Sequence, residues 1–346
     1  MTARILASSG APVRQSSVRA HNLALVLQIV VNSANPVSRA AIATATGLTR
    51  ATVSALVDDL ITGGLLTEVE PAPRTGAGRP AAGLALAPDG PAGLGLEINV
   101  DYLAACVVDL RGAVRHRIVE HADQRPADSA TALAGLARMA RRALAETGAV
   151  PVAGAALAVP GLVSAGGMVR VAPNLGWQDV DAATLLRDEL GLPVMVDNEA
   201  NLAALSELRA AGTPDFVYVS GEIGIGAGIV LGGALYRGVH GWSGEIGHVP
   251  VHPDGPRCRC GARGCLEQYA GQEAILRAAG VSALDPLDPV AAPALADAGA
   301  ALGVALAGVI NLLDLDTIVL GGGYGPLLPW LRGGIETELR RRVLTV

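Results

Sequence analysis

The 346-residue sequence contains no lysine, so its 26 Lys and Arg residues are all arginines. The absence of lysine excludes both a P-loop phosphate lysine and a Schiff-base lysine. Aromatic residues make up only 3% of the chain and hydrophobic residues 51%, so the core must consist mostly of alanine, valine, leucine and isoleucine. A net charge of −6 argues against a protein that coats nucleic acid over its whole surface, but it permits a local DNA-binding module.

The sequence also lacks long apolar runs. No run reaches the roughly 18 residues that a membrane span needs, and residues 1–17 contain no apolar segment of the signal-peptide type. We therefore expect residues 1–17 to be a flexible leader, and the protein to be cytoplasmic and without a membrane partner. Because cytoplasmic thiols stay reduced, the cysteines favour a metal site over a disulfide.

Composition and charge divide the chain into three zones. Residues 1–90 contain seven arginines and five acidic residues, a net charge of +2, so the remaining residues carry −8. The two later zones each begin with short strand-like runs and continue with alanine-rich helices, which indicates two related α/β lobes with a ligand cleft between them. The predicted fold class is α/β, with a helical module at 18–90, a first lobe at 91–200 and a second lobe at 201–346.

Residues 36–70 have the pattern of a helix-turn-helix followed by a wing. Ser38 and Gly47 cap a short helix, and Thr49 caps a second helix at 50–62 with helically spaced apolar residues. The segment LLTEV then predicts a strand. The candidate DNA-contacting residues are Ser38, Thr49, Arg50, Thr52 and Ser54 at the helix starts, with Arg74 and Arg79 in the wing. A small helical protein-interaction domain is the alternative.

Three of the four cysteines, Cys258, Cys260 and Cys265, lie within eight residues, and His248 precedes the first of them by ten positions. Three thiolates and one imidazole complete a tetrahedral Zn²⁺ shell with no open position, which predicts structural rather than hydrolytic zinc. A redox thiol pair and an incidental cluster are the alternatives, but neither accounts for the histidine. Cys106 stands alone in an apolar β-type run and is expected in the core.

The segment CRCGARGCLE (258–267), together with GEIGH (244–248), resembles the signature of the ROK family of sugar-responsive repressors and sugar kinases. The N-terminal module resembles the repressor branch, in a layout similar to xylose-type and N-acetylglucosamine-type repressors. The resemblance extends over nearly the whole chain from about residue 18. It implies a winged helix-turn-helix followed by two actin-like, ribonuclease-H-like α/β lobes with a structural zinc site.

The resemblance also implies a sugar site. The sugar-contacting carboxylates of the family match Glu245 and Glu267, and its metal-bound histidine, here His248, would also contact the sugar. PNLGW (173–177) resembles a sugar-contacting loop of the family and suggests Asn174. DNEAN (197–201) resembles the family's N-D-A-N and suggests Asn198. Glu199 matches the position at which the kinases of the family have an aspartate as general base. Its side chain is one methylene longer than that aspartate.

The kinase phosphate motifs are altered. Where ROK kinases carry D-x-G-G-T, this chain has Glu97 to Asp101 with Val100 in place of a glycine, and the second glycine-rich turn begins with Glu222. The acidic replacements and the missing lysine disfavour ATP. The expected function is therefore a sugar-responsive transcriptional regulator, a repressor of carbohydrate-metabolism genes and not an enzyme. An ATP-dependent sugar kinase with Glu199 as base, and a regulator that answers to a protein instead of a sugar, are the alternatives.

The expected partners are operator DNA, a sugar or sugar derivative, and further copies of the chain. A palindromic operator requires a symmetric protein, so we expect a homodimer or a homotetramer. Closure of the lobes on the sugar would change the spacing of the two recognition helices and hence the affinity for DNA. Only 23 residues follow Gly323, fewer than is usual in the family, so the second lobe is expected to lack a closing element.

Overall fold

The computed structural model describes residues 15–70, 82–164, 166–208, 210, 212–283 and 290–344. The chain divides into two compact units. The first comprises residues up to 93 with 107–116 and 146–153, and the second comprises 94–106, 117–145 and 154 onwards. Arg74 and Arg79, two of the candidate DNA contacts, lie outside the described residues.

The first unit contains a helix-turn-helix followed by two antiparallel strands: α1 (Gln15–Val31), α2 (Arg39–Thr46), α3 (Arg50–Thr62), β1 (Leu66–Val69) and β2 (Gly83–Leu86). Ser38 caps α2 and Thr49 caps α3, each accepting a backbone N–H at 3.2 Å. Gly47 ends α2 with a φ of 72°, which glycine adopts without a steric penalty. The predicted caps are thereby confirmed. The directions of α2 and α3 differ by 117°, as in a helix-turn-helix.

One face of α3 forms the centre of this unit's core. Val53, Leu56, Val57 and Leu60 are at most 4% exposed, which confirms their predicted helical spacing. They belong to one cluster with apolar residues of α1, α2 and the two strands, including Val26, Ile42, Leu66 and Leu84. Because this face is buried, the opposite face of α3, which begins with Arg50, is exposed to solvent.

The next part of the chain forms β3 (Ala92–Ile98), β4 (Tyr102–Asp109), β5 (Val114–His121), α4 (Ser129–Glu146), β6 (Val152–Val159), β7 (Leu162–Val163), β8 (Val169–Ala172), β9 (Trp177–Val180), α5 (Ala182–Leu190), β10 (Val194–Asn198) and α6 (Glu199–Leu208). A five-stranded sheet has the order β10-β6-β3-β4-β5, with β10 parallel to β6. Strands β7, β8 and β9 form a separate antiparallel sheet that the sequence analysis did not predict. Strands of two to four residues are too short to show a periodicity.

The last part forms β11 (Phe216–Gly221), β12 (Ile225–Leu231), β13 (Ala234–Tyr236), a 3₁₀ turn (Ile246–His248), α7 (Glu267–Ala270), α8 (Gln272–Ala279), α9 (Ala291–Leu313), β14 (Ile318–Gly322) and α10 (Tyr324–Arg342). Its four-stranded sheet has the order β13-β12-β11-β14, in which β11 is antiparallel to β12 and parallel to β14. Two sheets that each open with a meander and carry helices confirm the predicted α/β class.

Helix α9 is the apolar centre of the last part of the chain. Contrary to the expectation from the sequence, it is long and apolar enough to cross a membrane, but half of its apolar window is buried inside the protein, as in the core helix of a folded domain. It packs against α10 with the two backbones in contact. A Cβ atom at Gly299 would lie 2.3 Å from the carbonyl oxygen of Leu331, and one at Gly303 would lie 2.8 Å from that of Ile335.

This contact predicts opposite effects for two glycine substitutions in α9. Gly299→Ala forces the helices apart and should destabilise the protein by about 1–3 kcal/mol, the usual cost of overpacking. Gly308 has open space around its Cβ position, so Gly308→Ala should stabilise by about 0.5–1 kcal/mol through helix propensity alone. Thermal unfolding of both variants checks the prediction, and equal shifts would contradict the close contact.

Candidate functional site

The structure brings His248, Cys258, Cys260 and Cys265 together. Their four ligand atoms all lie within 4.8 Å of one another. The Cys260 and Cys265 sulfurs are 3.7 Å apart, and the Cys258 sulfur is 3.8 Å from Nδ1 of His248. A zinc–sulfur distance of about 2.3 Å in a tetrahedron gives sulfur–sulfur edges of about 3.8 Å. These two separations match such edges, so the cluster could hold a metal ion.

Backbone contacts fold the cysteine loop into this shape. The amide of Cys258 donates to the carbonyl of Ala262 at 2.8 Å, and that of Gly264 donates to Pro256 at 2.8 Å. Gly264 has a φ of 69°, and a Cβ there would overlap the carbonyl oxygen of His252. Burial, followed by the neighbouring thiols, raises the pKa of Cys265 to about 12. A thiolate at this position needs a cation beside it, as a metal would provide.

A cavity of about 370 Å³ lies beside this cluster, within the second unit. All six residues predicted to contact a sugar line it: Asn174, Asn198, Glu199, Glu245, His248 and Glu267. Asn174 lies in the turn between β8 and β9, and Glu267 begins α7. A Cβ at Gly224 would lie 3.1 Å from a Glu267 carboxylate oxygen and 3.5 Å from the Asn174 side-chain nitrogen. Glycine at this position lets both side chains enter the cavity.

The 3₁₀ turn connects the cluster of His248 and the cysteines to the cavity through one imidazole ring. Nδ1 of His248 faces the sulfur of Cys258, while Nε2 lies 3.9 Å from Oε2 of Glu245. A metal on Nδ1 leaves Nε2 with its hydrogen, which is the arrangement in which the second ring nitrogen donates towards a carboxylate. The pKa of Glu245 is raised, chiefly by restricted access of water in the cavity.

Asn198 is held at the junction of β10 and α6. Its side-chain oxygen accepts the backbone N–H of Ala200 at 2.9 Å, and its nitrogen donates to the carbonyl of Gly161 at 3.1 Å and to Glu199 at 2.9 Å. This part of the DNEAN segment therefore has a fixed geometry. Both Asn198 and Glu199 line the cavity, and the hydrogen bonds of Asn198 orient its side chain there.

Asp197 is a supporting residue that the sequence analysis missed. It is 2% exposed, and Oδ1 accepts the backbone N–H of Asn198 at 2.9 Å and the side-chain amide of Asn201 at 3.1 Å. Its other oxygen lies 2.6 Å from the guanidinium of Arg237. A buried carboxylate of this kind requires a positive partner. Arg237 lies 40 positions along the chain, and no local pattern indicates the pairing.

Side chains occupy the two turns that match the phosphate motifs of the kinases. Oη of Tyr102 donates to Glu97 at 2.6 Å, and the side-chain amide of Asn99 donates to Glu222 at 2.6 Å. The second bond joins the β3–β4 turn to the β11–β12 turn. Glu222 keeps contact with solvent, but partial desolvation and the charge of Glu97 raise its pKa. We call these four residues the turn network. The sequence analysis anticipated the two glutamates but not their partners, Tyr102 and Asn99.

The candidate DNA contacts gather at the start of α2 and α3. Thr49 and Thr52 share a hydrogen bond between their hydroxyls at 2.8 Å, and Arg50 is exposed beside them. Ser38 uses its oxygen to cap α2, and Ser54 is half-buried one turn into α3. Two other arginines of this unit are neutralised locally: Arg19 pairs with Asp59, and Arg39 with Asp58 and Glu68.

Comparison with known proteins agrees with this arrangement. Residues 93–343 match the ROK family, and the chain belongs to that family. The resemblance expected from the cysteine and GEIGH segments is therefore confirmed.

Relatives include both regulators and kinases. The xylose repressor of Bacillus spizizenii is 29% identical over 95% of this chain and 89% of its own length. The crystal structure of a ROK family transcriptional regulator, a homologue of the E. coli MLC protein, covers 94% of this chain and 89% of its own, with 27% identity and a TM-score of 0.82. A ROK family glucokinase from Streptomyces griseus, in complex with glucose and AMPPNP, covers 73% of this chain and 90% of its own, with 27% identity and a TM-score of 0.64.

The cavity predicts a pH-dependent stability at Glu199. Desolvation, followed by the charges of Glu245, Glu97 and Glu222, raises its pKa to about 8. In the unfolded chain a glutamate side chain has a pKa of about 4.3. The folded state therefore retains a proton that the unfolded state has lost, and stability falls as pH rises from about 4.3 to about 8. Glu199→Gln removes this loss, so the variant should be more stable than the parent at about pH 8.5 and equal to it near pH 4.

Thermal unfolding across this pH range measures the difference. Glu146→Gln, at an exposed position at the end of α4, provides the matched control. A constant offset between Glu199→Gln and the parent at every pH would mean that Glu199 is not protonated in the folded protein at neutral pH.

Proposed function

We propose that this protein is a sugar-responsive transcriptional regulator that represses genes of carbohydrate metabolism. One observation carries the proposal: a helix-turn-helix unit precedes a ROK fold, and the whole arrangement matches a ROK transcriptional regulator over 94% of the chain. The relatives named xylose repressors support the same function. The protein would act in the cytoplasm, where its DNA target is accessible.

The N-terminal helices would contact operator DNA through the start of α3. Arg50 is exposed there and would contact a phosphate or a base edge. The hydroxyl oxygens of Ser38 and Thr49 each accept a hydrogen bond from a backbone N–H group of the helix that they cap. A hydroxyl that accepts such a bond can still donate its own hydrogen to a phosphate. Thr52 and Ser54 follow on α3, and Arg74 and Arg79 would extend the contact into a minor groove. A dimer would place two such units on a palindromic operator.

A sugar would bind in the cavity of about 370 Å³. Glu245 and Glu267 can accept hydrogen bonds from sugar hydroxyls, and Asn174 can both donate and accept. The Glu199 carboxyl group, protonated at neutral pH, can donate one. The sugar would shift the affinity for DNA by its differential affinity for two shapes of the protein.

We propose that the metal held by His248 and the three cysteines is structural zinc. Four protein ligands leave no position for water, so the ion would supply rigidity to the loop and no bond-making chemistry. This loop carries Glu245 at one end and Glu267 at the other. Rigid support of this kind is what a binding site of charged side chains requires.

The zinc proposal predicts the metal content of cysteine variants. The purified protein should contain one zinc per chain, and Cys265→Ser should lose it together with some thermal stability. Cys106→Ser removes the one cysteine outside the cluster and should keep the zinc. Elemental analysis measures the ratio. An equal zinc content in the parent and both variants would mean that Cys265 does not bind the ion.

The regulator proposal predicts that sugar response and DNA binding separate at Glu245. Fluorescence anisotropy with DNA from upstream of the protein's own gene should detect tight binding that one sugar, from a panel beginning with xylose, changes several-fold. Glu245→Gln should bind the DNA as tightly as the parent but lose most of the response, because a hydrogen bond to a charged group contributes about 1.5–3 kcal/mol. Glu120→Gln, at an exposed position outside the cavity, is the control. A full sugar response in Glu245→Gln would contradict the assignment.

A sugar kinase is the second candidate. The observation that favours it is the Glu199 carboxyl group beside Asn198 in the cavity, since a general base works best with a pKa near the operating pH. Against it, Asp101 and Glu222 add carboxylates to the two turns that match the phosphate motifs of the kinases. Sugar-dependent release of ADP from ATP, lost in Glu199→Gln, would establish kinase activity.

A further inference from the structure

A second recess, of about 180 Å³, opens from the cavity, and three arginines line it: Arg257, Arg259 and Arg277. It is continuous with the proposed sugar site, because Asn174, Arg259 and Glu267 line both spaces. A molecule that fills the cavity can therefore extend a substituent into the recess without leaving the hydroxyl-binding carboxylates.

The positions of these arginines are set by neighbouring structure. Arg257 and Arg259 flank Cys258 in the cysteine loop, and Arg257 pairs through its backbone with Arg263. Arg277 lies in the last turn of α8. The guanidinium of Arg259 is 3.4 Å from Glu273. Within the part of the chain that the structure describes, Arg257 and Arg277 have no ion-pair partner, so their positive charges remain available to a ligand.

The part of the cavity outside the recess has the opposite charge. Glu97, Glu199 and Glu222 line the cavity but not the recess. An anionic substituent there would meet carboxylates, whereas the recess is lined by three arginines and by Glu267 and Glu273, so that its side chains carry a net positive charge. The combined space therefore has an acidic part and a recess of net positive charge, and only the recess suits an anion.

We propose that the effector of this regulator is an anionic sugar, carrying a phosphate ester or a carboxylate that binds Arg257 and Arg277. The inference rests on the proposed function, because it assumes that a sugar occupies the cavity. The hydroxyls bind at Glu245 and Glu267, and the anionic group lies in the recess. Guanidinium groups bind phosphate and carboxylate with paired, charge-assisted hydrogen bonds, which a neutral sugar cannot form.

Calorimetric titration of the full-length protein tests this inference. D-xylose and D-glucose are compared with D-xylose 5-phosphate, D-glucose 1-phosphate, D-glucose 6-phosphate and D-glucuronate, so that the phosphate and carboxylate arms are distinguished. The preferred anionic sugar should bind at least about tenfold more tightly than its neutral parent, the scale of one hydrogen bond to a charged group. Added salt should reduce this preference, since the arginines are exposed.

Variants assign the preference to the recess. Arg257→Gln and Arg277→Gln should each lower the ratio of anionic to neutral affinity by about tenfold. Arg263→Gln is the matched control, because Arg263 belongs to the same loop but does not line the recess. Its ratio should equal that of the parent.

The outcomes separate this inference from the proposed function. Equal affinity for neutral and anionic sugars, or a preference that persists when Arg257 and Arg277 are both replaced by glutamine, overturns the inference. If neutral sugars then bind in a way that depends on Glu245, the proposed function stands without it. If no sugar of either kind binds, the cavity is not a sugar site and both proposals fail.

Discussion

The close approach of one imidazole and three thiols governs the ligand-facing side of the second sheet. His248, Cys258, Cys260 and Cys265 lie in a chain segment with little regular structure, and their ligand atoms converge within 4.8 Å. The loop cannot change shape without separating those atoms. Because Glu245 lies three residues before His248 and Glu267 lies two residues after Cys265, the geometry of the cluster helps to set the positions of these two cavity residues.

The cavity has a marked polarity that follows from which residues border it. Three carboxylates line the cavity outside the recess, and the charges of Glu97 and Glu222 contribute to the raised pKa of Glu199, whereas the recess is lined by arginines of the cysteine loop and α8. The chain contains no lysine, so every fixed positive side chain near the cavity is a planar guanidinium with several donors. A cavity of this kind discriminates between ligands by the position of their charge as well as by their hydroxyls.

The sequence predicted those parts of the structure that depend on local pattern or on a short motif. The caps at Ser38 and Thr49, the buried face of α3 and the α/β class follow from spacing within a few residues, and the structure agrees with all of them. The convergence of the cysteines with His248 was predictable because a metal shell has few acceptable residue sets. Contacts between distant segments were not predictable: the pairing of Asp197 with Arg237 and the bond from Asn99 to Glu222 leave no periodicity in the sequence.

The bond from Asn99 to Glu222 joins residues 123 positions apart. The free energy lost in closing so long a loop exceeds the roughly 1.5–3 kcal/mol that a single hydrogen bond to a carboxylate contributes. The bond can therefore form only between sheets that are already folded and brought together by other contacts. Breaking this bond therefore requires little free energy and leaves both sheets folded. The binding of one small molecule in the cavity can supply a free energy of the size needed to break this bond.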